Sequence, residues 1–270
     1  MSGALAGSRV LIPRGGAWGE HVRAELHRRG AEGIVAPLIA SRPPRDTMAR
    51  DRVFAALAAG EYSWLFVTSA ATVEQLVAHG IQVPATTRIA AVGRATARAV
   101  ADAGFEVEFV PVGSSSASRM ITQWCVGRSP AGTGRCLVLR SDLAMAVISD
   151  ELELQGYDVD VCIAYRTVGV DLPAEIVSGL QHGGIDIVLL TSLSVGRELR
   201  RQVGELSPQV RVASIGPGTT RDARALGFVV GYTAKTQSID ALLAELDTAE
   251  LDDADQNPDA ATDTRSDTTS

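Results

Sequence analysis

The chain contains no apolar run approaching the roughly 18 residues that a membrane-spanning helix requires. Its first residues, "MSGALAGSRVLIPR", lack the cationic stretch, apolar segment and cleavage site of a secretory leader, so a cytoplasmic location is expected. Cysteine is scarce. Cys125, Cys136 and Cys162 are odd in number and spread apart, which excludes a disulfide framework, and two of them lie in apolar strand-like runs, so all three read as core thiols. The four histidines, His21, His27, His79 and His182, stand in polar helical or loop contexts far in sequence from any cysteine, so no Cys–His nucleophile is indicated. No Cys/His spacing suits zinc and no acidic run suits calcium; no metal site is expected.

Excess charge is also missing from most of the chain. The net charge of −7 resides in residues 247–270, where eight acids face Arg265 alone, and residues 1–246 hold 24 basic and 24 acidic residues. A neutral body lacks the basic face that nucleic-acid binding needs. The segment "DTAELDDADQNPDAATDTRSDTTS" has few aromatics and no apolar periodicity, and residues 249–270 are expected to form a disordered acidic tail.

What is present is a repeat. Thr68-Ser69 recurs as Thr191-Ser192, Gly93-x-x-Thr96 as Gly216-x-x-Thr219, and Gly104-Phe105 as Gly227-Phe228, all at an offset of 123. Ahead of each copy, "RVLIPRGGAWGEHVRAELHRRG" and "RCLVLRSDLAMAVISDELELQG" match at Arg9/Arg135, Arg14/Arg140, Leu26/Leu152 and Gly30/Gly156, all at 126. The pattern indicates an internal duplication whose copies exceed the period of solenoid repeats. In one copy, "RVLIPR" is a short apolar run, residues 17–29 carry Val22 and Leu26 at helical spacing, and "GIVAPLIA" is apolar again, a pattern that reads as strand, helix, strand. Helix 48–59, strand 64–68, helix 70–79, strand 88–92, helix 95–103 and strand 105–110 follow. Strands alternating with helices of this length require parallel sheets covered on both faces. The expected fold class is therefore α/β, with two doubly wound parallel-sheet domains.

In such sheets ligands sit beyond the carboxyl ends of the strands. Thr68-Ser69, Gly93 to Thr96, Thr191-Ser192 and Gly216-Pro217-Gly218-Thr219 all occupy that position. A helix start offers unpaired N–H groups and about half a positive charge, so it holds a carboxylate or phosphate without a cation; the hydroxyl adds a donor and the glycine admits the anion. Any one of these hydroxyls read alone is an ordinary N-cap. Four such turns, paired across a duplication, point instead to a divided anion site lying between two domains. Neither Gly-rich stretch follows the dinucleotide fingerprint and no phosphate-loop lysine follows, so no nucleotide cofactor is expected. Arg14 and Arg140 end equivalent strands: each either pairs with a ligand carboxylate or anchors a loop carboxylate of the protein. "PVGSSSAS" is a loop by composition, and Ser114 to Ser116 within it, Ser115 at their centre, either frame an anion or belong to a flexible turn.

The motifs "VLIPR", "WLFVTSAATV", "AVGRATARAVADAG", "VDVCIAYRT", "VLLTSLSVG" and "SIGPGTTRDARALG", in this order and spacing from about Arg9 to Leu246, resemble those of uroporphyrinogen-III synthases. Pro13 and Gly15 replace the Thr and Pro usual beside Arg14, Ala71 stands where Asn is frequent, and Thr220 replaces an Ala. The resemblance implies a monomeric cytosolic lyase of haem and related tetrapyrrole synthesis, acting without metal or cofactor. The reaction it implies is the conversion of the linear tetrapyrrole hydroxymethylbilane into uroporphyrinogen III, with loss of water and inversion of the last ring, and with it a hand-over of substrate from hydroxymethylbilane synthase as an expectation. It further implies a discontinuous first domain of residues 1–37 and 170–248, a second domain of 43–162, and extended linkers at 38–42 and 163–169 that form a two-stranded connection. Tyr165, in "IAYRT", matches a tyrosine the family places facing its cleft, where a phenol could give a proton to the departing hydroxyl. The competing class is a non-enzymatic two-domain sensor that closes on an anionic ligand.

Overall fold

The computed structural model describes residues 3–113, 116–131 and 133–248; Ser114, Ser115 and the acidic tail lie outside the described residues. The chain runs β1 (Arg9–Ile12), α1 (Gly16–Arg28), β2 (Glu32–Val35), β3 (Ile39–Arg42), α2 (Thr47–Ala58), β4 (Trp64–Val67), α3 (Ala70–Ala78), β5 (Arg88–Ala91), α4 (Arg94–Asp102) and α5 (Ala117–Cys125). It continues through β6 (Cys136–Ser141), α6 (Val147–Leu154), β7 (Val159–Gly169), α7 (Ala174–His182), β8 (Ile187–Leu190), α8 (Leu193–Val203), β9 (Arg211–Ser214), α9 (Pro217–Ala225), β10 (Val230–Thr233) and α10 (Ile239–Thr248). Two compact units result. One joins the chain up to Leu38 to the chain from Asp171 onward, and the other is Ile39–Val170.

The first unit is a parallel sheet in the order β10-β9-β8-β1-β2. Strand alternation sends Val10, Ile12, Ile187 and Leu189 to one face, where α1 contributes Val22 and Leu26 and α10 contributes Leu242, Leu243 and Leu246. Leu11, Val188 and Leu190 point the other way and are buried as completely, so both faces are covered, as short all-apolar parallel strands demand.

The second unit orders its strands β3-β7-β6-β4-β5; β3 is antiparallel to the last four residues of β7, and the other pairs are parallel. Phe54, Leu57, Val73, Leu76 and Val100 of α2, α3 and α4 cover Leu65, Val67, Leu137, Leu139 and Cys162 on one face. On the other face Met120, Ile121 and Trp124 of α5 and Ile148 and Leu152 of α6 cover Trp64, Phe66 and Val138. Trp124 is the centre of that layer, fully buried and edge-on to Trp64, Phe66 and Tyr157 at centroid distances of 5.1, 5.0 and 5.2 Å.

Two local expectations fail for backbone reasons. "GIVAPLIA" is not one strand: it breaks at Ala36-Pro37 into β2 and β3, which belong to different sheets. The strand at 105–110 reduces to one bridge, Ala90 to Phe109, in which Phe109 donates to Ile89 and Ala91 donates to Phe109. The next rung would need an N–H from residue 111, and Pro111 has none. That bridge is offset by 123 at both ends from the Ala213–Tyr232 pair of β9 and β10. Without β3, the strand order β7-β6-β4-β5 followed by Phe109 therefore repeats β2-β1-β8-β9-β10.

Replacement Trp124→Ala is expected to cost about 3–5 kcal/mol, the range for large-to-small change of a buried aromatic. Urea denaturation checks this, and a loss under about 1 kcal/mol would show that α5 does not anchor its layer.

Candidate functional site

Each sheet contains a point from which the chain leaves in opposite directions. In the second unit β4 is followed by α3 on one face and its neighbour β6 is followed by α6 on the other, so no helix covers the carboxyl ends of this pair. A cavity of about 290 Å³ lies there, lined among others by Thr68, Ser69, Ser116, Arg140, Ser141 and Tyr165.

Its polar groups are arranged by short-range chemistry. Ser69 N-caps α3, its Oγ accepting from the Thr72 N–H at 3.2 Å, and the same oxygen lies 2.9 Å from Thr72 Oγ1 and 3.1 Å from the Tyr165 hydroxyl. Thr68 Oγ1 donates to the Leu139 carbonyl at 3.4 Å, tying the ends of β4 and β6 together. Tyr165 is 7% exposed, so its ring is core and its hydroxyl reaches the cavity. Arg140 donates from Nη1 to the carbonyl of Ala144 in the following loop, while its Nε is buried without a partner among the described residues.

The first unit has the corresponding arrangement at β1 and β8. Ser192 caps α8 through the Val195 N–H at 3.4 Å and lies 3.0 Å from Ser194 Oγ, and the Thr191 Oγ1 is buried without a partner among the described residues. Gly216 N-caps α9, Pro217 supplies its first position, and the cap is held by Ser214 Oγ, which donates to the Gly216 carbonyl at 3.0 Å. Arg14 forms no hydrogen bond or ion pair among the described residues; its guanidinium sits 5.1 Å from the Trp18 ring centroid.

Not every expected residue reaches the cavity wall. Val92 lines it, whereas Gly93 forms the N-cap of α4 and Thr96 is 5% exposed within that helix. Gly93 and Gly216 have φ of −179° and 168°, extended values open to any residue, so neither glycine is there for left-handed backbone. At Gly218 an added Cβ would meet nothing within 4 Å, which leaves the α9 turn open to an approaching ligand. Ser116, one of the three serines read as framing an anion, lines the cavity, and Thr72 and Ser141 join the site without having been expected from sequence. The Ser69-x-x-Thr72 spacing was the available signal for Thr72, since a polar residue three positions after a cap meets the capping oxygen.

The electrostatics of the two sheet ends differ sharply. At the amino ends, Arg9 pairs with Glu32 at 3.2 Å and Arg135 with Glu61 at 3.1 Å and with Asp160. The Tyr62 hydroxyl donates to Asp160 at 2.6 Å, and burial together with that carboxylate pushes its pKa up. At the carboxyl ends, among the described residues, neither Arg14 nor Arg140 has a carboxylate partner, and no ion pair involves the turns at 68–72, 191–195 or 216–219. Anchoring of a protein carboxylate, the alternative reading of these arginines, is thus not what the structure contains. Burial raises the Cys136 and Cys162 thiols to about 12, so neither is a nucleophile at neutral pH. No group of His, Cys, Asp and Glu suited to a metal ion occurs among the described residues.

Comparison with known proteins places this geometry. Residues 20–244 match the family described as uroporphyrinogen-III synthase HemD. A uroporphyrinogen-III synthase of Synechococcus elongatus is 26% identical over 262 residues, covering 90% of this chain and 96% of that protein. The crystal structure of a mutant uroporphyrinogen III synthase from Thermus thermophilus matches with a TM-score of 0.60 at 19% identity, covering 88% of this chain and 96% of that one. The Helicobacter pylori uroporphyrinogen-III synthetase matches with a TM-score of 0.56 at 16% identity, covering 88% and 97%. At these identities the two structures establish the fold.

Ser69→Ala should lower stability by about 0.5–2 kcal/mol through the lost cap. Urea midpoints of this variant and of Ser192→Ala check it, and an unchanged midpoint for Ser69→Ala would mean that water caps α3 equally well.

Proposed function

The chain belongs to the uroporphyrinogen-III synthase family, and we propose that its carboxyl-edge turns hold the acid groups of hydroxymethylbilane while Tyr165 protonates the departing hydroxyl. It is an enzyme of haem biosynthesis, a cyclising lyase. The observation that carries the site assignment is the pair of hydroxyls, Tyr165 and Ser69, 3.1 Å apart at a cavity also lined by Arg140, whose Nε has no partner among the described residues.

Every ring of the substrate bears an acetate and a propionate. Free, it closes without inversion, so the protein must favour attack by the substituted carbon of the last ring over attack by the open one. Each hydrogen bond to a charged carboxylate contributes about 1.5–3 kcal/mol, and the N–H groups at the starts of α3, α4, α8 and α9 with the hydroxyls of Thr191 and Thr219 offer several. Correct positioning in intramolecular reactions is worth roughly 7–11 kcal/mol at most. A guest held by a handful of such bonds can therefore be kept in the productive conformation.

The proton inventory closes on the tyrosine. As the carbon–oxygen bond breaks, the phenol gives its proton and water leaves; Ser69 Oγ, in contact with the phenol oxygen, stabilises the phenolate. The substituted ring carbon attacks, the last ring rearranges through a spiro intermediate, and the proton released when the macrocycle closes returns to Tyr165. The balance is hydroxymethylbilane to uroporphyrinogen III and water. Arg14, Arg140, Ser192, Gly216 and Gly218 complete the anion-holding set in this reading, which takes a cytoplasmic monomer, receiving its substrate from hydroxymethylbilane synthase and using no cofactor. Duplication of an ancestral half accounts for the two sheets sharing one strand order.

Porphobilinogen with the preceding deaminase, followed by chromatography of oxidised product, reads isomer III against isomer I. Wild type should give isomer III, and isomer I alone would refute the activity. Tyr165→Phe should lower the rate about 10²- to 10⁴-fold, the span of general-acid contributions; an unchanged rate removes that role. Thr191→Val with Thr219→Val should raise KM with little change in kcat, and unaltered kinetics would take both threonines out of the site.

A further inference from the structure

The second unit contains another cavity, of about 460 Å³, which shares no lining residue with the one at Tyr165. Neighbouring residues divide between the two. Ser141 and Tyr165 line the first, whereas Asp142 and Arg166 line the second. The wall of the second cavity is formed by the start of α2, with Arg45, Asp46, Ala49, Arg50 and Val53, and by Val161, Cys162 and Ile163 of β7.

Three arginines line it. Arg50 is 7% exposed and its Nε and Nη2 both reach Asp51, at 2.9 and 2.8 Å, leaving Nη1 uncommitted among the described residues. Arg166 spends only its Nε, on the Pro43 carbonyl at 3.0 Å. Arg45 is exposed and makes no hydrogen bond or ion pair among the described residues. The two carboxylates in the wall are already used on backbone donors: Asp46 accepts from the Ala49 N–H at 2.8 Å and Asp142 from the Thr167 N–H at 3.0 Å. A third feature is independent of charge. β3 pairs with β7 only over Arg166–Gly169, so beside the cavity Val161–Ile163 is the edge of the sheet, and its outward backbone groups have no strand partner among the described residues.

We propose that this cavity is a second anion-binding site, for a ligand of one-ring size that carries two carboxylates on a flat apolar body, the chemistry of a single carboxylated pyrrole. The choice of a pyrrole rests on the function proposed above; the need for an apolar body and two acid groups rests on the cavity alone. Its volume lies in the range of roughly 300–1,000 Å³ found for small-molecule sites and is enough for one substituted ring. Val53, Val161 and Ile163 would flank the ring. Arg45 and Arg166, each with a planar fork of unused donors, would take one carboxylate each, and Arg50 Nη1 would supply positive charge from within.

Isothermal titration of the full chain with porphobilinogen, a pyrrole bearing one acetate and one propionate, tests this. Arg45→Gln together with Arg166→Gln should weaken binding about 10- to 100-fold or abolish it. Ala49→Leu, which fills the cavity on a helical surface that accepts leucine, should do the same by steric exclusion. Arg52→Gln, on α2 but outside the wall, and Tyr165→Phe, in the other cavity, should leave the affinity unchanged. Binding that survives both cavity variants, or that is lost in Tyr165→Phe, would overturn the proposal, as would no binding to the wild type. Isomer III formation in the coupled assay reports the proposed function independently, so the two can fail separately.

Discussion

The arrangement depends on one constraint: a helix following a parallel strand can cover only one face of the sheet. Where neighbouring strands send their helices to opposite faces, at β4 and β6 and again at β1 and β8, the carboxyl ends between them stay uncovered. The backbone donors at the starts of α3 and α8 therefore open on a gap in the molecule's own packing. Ser69 and Ser192 satisfy one donor each, at Thr72 and Val195, and the other first-turn groups remain for water or a ligand.

Charge placement follows the same division. The arginines matched between the copies, Arg9 with Arg135 and Arg14 with Arg140, start and end equivalent strands. At the amino ends they close salt bridges with Glu32, Glu61 and Asp160, where charges are neutralised locally and fix the strand beginnings. At the carboxyl ends the same residue type meets an indole ring or a loop carbonyl, and one buried Nε is left unpaired among the described residues. A buried unpaired donor costs on the order of 1–3 kcal/mol, so its persistence is informative where a multiply charged substrate must be received.

Much of this was legible in the chain because its two halves repeat one pattern, so that each is a control for the other. The Thr-Ser turns, the Gly-x-x-Thr turns and the strand–helix alternation all repeat in register, and the two sheets share one strand order. What the sequence hid depended on single backbone groups and on tertiary contact. Pro111 removes the rung that would have extended a fifth strand, and Pro37 divides an apolar stretch between two sheets. The approach of Tyr165 to Ser69 spans 96 residues, and no local pattern encodes it. The backbone at Gly93 and Gly216 is extended, so room for an approaching ligand, rather than left-handed geometry, is what could favour glycine there.

The central claim is that uncovered helix starts at the carboxyl ends of both sheets receive the substrate's acid groups. Amide chemical-shift mapping during titration with uroporphyrinogen III under anaerobic conditions tests it most directly. The account predicts that the largest perturbations fall on the backbone N–H groups of residues 69–72, 94–96, 192–195 and 218–220. Perturbations confined to other surfaces, with those amides unmoved at saturation, would contradict it.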